Sequence, residues 1–101
     1  MASQSYQLTL KLPVYEKSGL ADQLRRAVTS ISINIAEGSG SESDKEFLRF
    51  LHIARKSLFE TISILKLIEK VHAQEIGVKY YDQCDLVGKL LNGLIKKVSN
   101  S

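Results

Sequence analysis

From Phe47 to Ile68 the apolar residues Phe47, Leu51, Ala54, Leu58, Ile62, Leu65 and Ile68 recur at spacings of three and four, with no proline between them. That repeat follows the 3.6-residue turn of an α-helix and conflicts with the two-residue period of a strand. It predicts one long helix over 43–71. Phe50, Ile53, Ile64 and Leu67 add a second apolar shoulder well round the helix from the first stripe. An arc that wide needs cover on more than one side. One side is expected to face the helix's own bundle, the other a partner or a crowded core.

The flanking segments carry the same period. Leu20, Leu24, Val28, Ile31 and Ile35 predict a helix over 20–37, with Asp22 in its first turn where a carboxylate favours the positive end of the dipole. Gly38 follows and is expected to be its left-handed C-terminal cap. Tyr80, Cys84, Val87, Leu91, Leu94 and Val98 alternate spacings of four and three. They predict a seam over 77–98 that packs against long antiparallel neighbours. Gly88 and Gly93 each weaken that helix unless close packing offsets them. A short helix over 3–11, with Leu8, Leu10 and Leu12 near its end, precedes the breaker Pro13 and the flexible Gly19. With 101 residues, 44% of them apolar, the chain has material for one core. The expected fold is all-α: an antiparallel up-and-down four-helix bundle over 1–101 with a shortened first helix.

The stretch "NIAEGSGSESDKEF" over 34–47 raises the question of a phosphate-binding loop. It lies between helices rather than after a strand, lacks a Gly-Lys-Ser/Thr ending, and has serine at 43 where a dinucleotide fingerprint needs glycine. It reads as an interhelical turn. Ser43 and Glu46 have the spacing of a capping box that opens the next helix.

Three pieces, "QLRRA", "NIAEG" and "SDKEFLRFL" with the Ala54, Ser57, Leu58 and Glu60 that follow, are together specific, and "GKLLNGLIKKV" adds a fourth. Across roughly 6–98 they resemble the four-helix bundle proteins encoded within intervening sequences of bacterial 23S ribosomal RNA genes. The resemblance implies an antiparallel four-helix bundle. A related protein, the accessory variability determinant of diversity-generating retroelements, forms a basic, barrel-like pentamer that binds nucleic acid and a reverse transcriptase. The resemblance therefore implies a ring-like homo-oligomer, with a homopentamer favoured. Two departures stand out. The family's first helix is longer than "SYQLTLKLP" supplies, and its "SIPSNIAEG" has proline where this chain has Ser32, followed by Ile33. Without that proline the helix is expected to run straight.

The chemistry in the sequence points away from catalysis. His52 and His72 have no His or Cys at ligand spacing, and Glu-x-x-His pairs are missing, so no metal and no cofactor are expected. Cys84, the single cysteine, falls in the apolar seam and is expected to be a core thiol. Arg26, Asn34 and Glu37 are expected to form a structural polar network. The net charge is +3. Repeated over a ring, that bias suffices to attract phosphate backbones without base readout. Candidate nucleic-acid contacts are Arg25, Arg26, Arg49, Arg55, Lys56, Lys89, Lys96 and Lys97. The expected partners are a second copy of the chain and RNA or DNA. The alternative is a structural or adaptor oligomer that binds another protein. No apolar run nears the roughly 20 residues that span a bilayer, and "MASQSYQLTLKLP" does not read as a signal peptide. The expected setting is cytoplasmic.

Overall fold

The computed structural model describes residues 19–72 and 76–100. Three helices follow in order: α1 (Leu20–Ser39), α2 (Asp44–His72) and α3 (Val78–Ser99). The expected helices over 20–37, 43–71 and 77–98 are all present, each end within two residues of its expected place. The expected helix over 3–11 lies outside the described residues.

The pairing of residues sets the topology. Ser30 Oγ lies 2.8 Å from Ser57 Oγ, and Gly38 lies against Phe47 and Phe50. Moving forward along α1 therefore means moving back along α2, so the two helices are antiparallel. Arg55 donates to Asn92 Oδ1 at 3.0 Å, and the Tyr81 hydroxyl donates to Glu69 Oε1. α3 thus also runs antiparallel to α2. Burial, together with the Glu69 hydrogen bond, pushes the Tyr81 phenol well above its ordinary range.

The core is the meeting of the predicted stripes. Leu24, Val28 and Ile31 from α1, Leu51, Ala54, Leu58, Leu65 and Ile68 from α2, and Cys84 and Leu91 from α3 are all buried. Cys84 is therefore the core thiol expected, and burial raises its pKa. The interface between α1 and α2 also contains small polar residues. Thr61 is fully buried and donates to the Ser57 carbonyl at 2.9 Å. Ser57 is buried against Ser30. Small side chains with internal partners let two helices approach closely without orphaned polar groups.

Gly38 corrects an expectation. It is the next-to-last residue of α1 and is buried, not a left-handed cap beyond the helix. The carbonyls at this helix end are met instead by the Ser39 hydroxyl on Ala36 (2.9 Å) and the Ser41 hydroxyl on Gly38 (2.6 Å). Gly40 and Ser41 add their amides, and Gly40 itself has φ −91°, an ordinary value. Glycine is required at 38 for space. A Cβ there would lie 2.9 Å from both Phe47 Cδ1 and Phe50 Cβ. Because Phe50 Cβ is fixed to the α2 backbone, Gly38→Ala has to push the helices apart. We expect a loss of about 1–3 kcal/mol, checked by urea unfolding.

The turn into α2 matches half of the capping box. The Glu46 amide donates to Ser43 Oγ at 3.1 Å. The Glu46 carboxylate does not reach back, because Arg49 holds it through two contacts of 3.1 Å. Ser43→Ala should cost about 1 kcal/mol of stability, read from the same unfolding curves.

α1 runs unbroken through Ser32. α1 and α3 flank an apolar groove of about 560 Å³, walled by Val28, Ile31 and Ile35 on one side and Val87, Leu90 and Leu94 on the other. Of the second shoulder of α2, Phe50 and Ile64 are half-buried, while Ile53 and Leu67 are exposed.

Candidate nucleic-acid interface

A helix packed on two sides keeps one arc free. On α2 the solvent arc passes through Lys45, Arg49, His52, Lys56, Phe59, Ser63, Lys66 and Lys70, at spacings that alternate four and three. Every one of these residues is exposed. At 1.5 Å of rise per residue the stripe is about 37 Å long. It carries five permanent cations and no carboxylate. Five exceeds the net charge of the whole chain, +3, so the rest of the molecule is on balance acidic. The basic bias of the sequence is thus largely the charge of one helix face.

The partners of these cations differ. Arg49 pairs with Glu46 at 3.1 Å, and its guanidinium lies 4.4 Å from the Phe50 ring centroid. The hydrogen bond from Arg49 holds the Glu46 carboxyl below its ordinary range and raises Arg49 in turn. Lys45, Lys56, Lys66 and Lys70 have no carboxylate partner among the described residues. Their charge is available to an incoming anion.

The other expected contacts are spread around the molecule. Arg55 lies at the edge of the stripe, where it donates to Asn92 and pairs with His52 Nδ1 at 3.2 Å. Lys89 is bound to Asp85 at 3.2 Å on α3, and Lys96 and Lys97 are exposed in its last turn. Arg25 and Arg26 lie on the back of α1, around a shallow depression that Asn34 also lines. Arg26 also reaches a cleft between α1 and α2 that Lys56 lines. Arg55 and Arg26 thus adjoin the α2 stripe, whereas Arg25 lies on α1 and Lys89, Lys96 and Lys97 lie on α3.

The Arg26–Asn34–Glu37 network is not assembled. Arg26 shares a face with Asn34, as expected, but pairs with Asp22 at 3.0 Å. Asn34 donates back to the Ser30 carbonyl at 2.8 Å and to Ser30 Oγ at 3.1 Å. Glu37 is exposed. A nearer partner one turn away is reached with less loss of side-chain entropy than a distant one. The sequence reading missed Lys45, Lys66 and Lys70. Extending the register from Arg49 to Lys56 in both directions would have found them.

Among the described residues no group of three His, Cys, Asp or Glu side chains is placed to hold a metal. His52 is exposed and engaged with Arg55; the expectation for the His72 side chain lies outside the described residues. No described helix is long and apolar enough to cross a membrane.

The family model for the 23S rRNA-intervening sequence protein matches residues 1–93. The chain belongs to this family. The match takes in α1, α2 and most of α3, together with the segment before α1. No curated protein matches the chain. As a member of the 23S rRNA-intervening sequence protein family, the chain is helical over α1, α2 and α3.

Proposed function

We propose that this member of the family is a non-enzymatic helical-bundle oligomer that binds the backbone of RNA or DNA through the outer face of α2. The observation that carries the reading is the acid-free stripe of Lys45, Arg49, Lys56, Lys66 and Lys70. Cations spaced along a straight helix neutralise successive phosphates and release their counterions, which needs no base contact. The reading extends to the assembly. The apolar groove between α1 and α3 offers a seat for a further apolar helix. The exposed Val78 and Leu86 on α3 supply apolar surface for contacts between copies, in a ring for which the family resemblance favours five subunits. A cytoplasmic site of action goes with this reading.

The test is anisotropy of a labelled RNA across a salt series, on protein whose mass in solution is known. Binding that falls linearly on log–log axes supports the reading. Those same exposed apolar residues of α3 also suit the alternative, an adaptor that binds another protein. Absence of RNA and DNA binding at low salt would leave that alternative standing.

A further inference from the structure

In the middle of the basic stripe sits a residue that charge does not explain. Phe59 is 59% exposed and stands outside the core cluster. Among the described residues it is the one aromatic ring in the set of exposed large apolar side chains; the others are Ile, Leu and Val. A phenylalanine ring left in water contributes little to folding, and a flat π surface is what an unstacked base fits. Its surroundings are cationic on both sides along the helix axis. Lys56 precedes it by three residues and Lys66 follows by seven, with the small Ser63 one turn away. The helix rise places those two cations about 5 and 10 Å along the axis from the ring. Arg55, one turn before Phe59, is steadied by Asn92 and His52. The nearest carboxylate in sequence, the exposed Glu60, is turned about 100° round the helix from Phe59 and lines the cleft between α1 and α2 with Lys56.

We infer that Phe59 is a base-stacking platform, and that the nucleic acid taken by this face is single-stranded. The inference rests on the backbone-binding reading above and adds the substrate class to it. A duplex keeps its bases stacked on one another and offers Phe59 no face, whereas a single strand has bases to give and phosphates for Lys56 and Lys66 on either side. One ring per subunit supplies affinity without sequence preference, since every base has a π face.

The test uses the full chain, a labelled 15-nucleotide oligouridine and an RNA duplex of equal length, with wild type, Phe59→Leu and Phe59→Trp compared at one salt concentration. Leucine keeps the apolar bulk at an exposed site and removes the ring. The expected result is single-strand binding weakened about tenfold by Phe59→Leu and restored by Phe59→Trp, with duplex binding changed by less than about twofold. Single-strand binding unchanged in Phe59→Leu, with both RNAs still bound, overturns the stacking role and leaves the backbone reading intact. Failure of wild type to bind either RNA overturns both. A fall in solution mass on Phe59→Leu makes the ring a contact between copies of the chain, and the inference is then wrong.

Discussion

Changing Lys45, Lys56, Lys66 and Lys70 together to glutamine is expected to lower affinity for single-stranded RNA by roughly two to three orders of magnitude at 0.1 M salt. The logic is counterion release. Each phosphate neutralised on a single strand contributes about 0.7 to the log–log salt slope, so four lost contacts flatten it by about three. These lysines have no carboxylate partner among the described residues, so their removal costs the fold little. Glutamine also keeps a good helix former at each exposed position. Lys79→Gln with Lys89→Gln is the control. Both lysines are exposed on α3, and Lys89 is already paired with Asp85. That variant should bind almost as wild type does. A loss in the control of about half that in the fourfold variant, in proportion to two charges removed against four, would mean that overall charge, not the α2 stripe, drives binding.

Leu58→Ala is expected to destabilise the protein by about 2–5 kcal/mol. Leu58 is 2% exposed and belongs to the core cluster on α2. A Cβ at Gly88 of α3 would stand 3.4 Å from Leu58 Cδ2, an ordinary packing distance, so the leucine methyl lies close against the α3 backbone. Truncation removes the transfer energy of the lost carbons and opens a cavity that two long helices close only in part. A small domain has only a thin margin to absorb this. The midpoint of urea unfolding should fall sharply, with helical content by circular dichroism largely retained before the transition. A loss below about 1 kcal/mol would mean that α2 and α3 separate easily and that the core is not shared across the three helices.

The helices were legible because each carries its apolar stripe over five or more positions, which fixes period, face and length together. What the stripes did not disclose came from close contacts. Gly38 looked like a chain-reversing cap because it follows the last apolar residue of α1. Only its approach to Phe47 and Phe50 shows that it is a spacer. Thr61 belongs to no apolar stripe, yet it is buried, its hydroxyl donating to the Ser57 carbonyl one turn away. Asn92 lies inside the helix predicted over 77–98, but its contact with Arg55 is visible only in the structure. Tertiary packing decides each case. The candidate site was legible in part. Arg49 and Lys56 share a face by their spacing of seven, and the same register continues to Lys66 and Lys70. Arg26 was assigned to a network because two turns of helix bring it under Asn34, whereas Asp22 lies one turn away and wins. The expected first helix falls on residues that the structure does not describe.

The most direct measurement is a lysine-labelling footprint, read residue by residue by mass spectrometry, with and without saturating single-stranded RNA. The account predicts that Lys45, Lys56, Lys66 and Lys70 lose reactivity together, while Lys79 and Lys89 keep theirs. Equal labelling of the α2 lysines in both states, with the RNA demonstrably bound, would place the nucleic acid elsewhere and contradict the account.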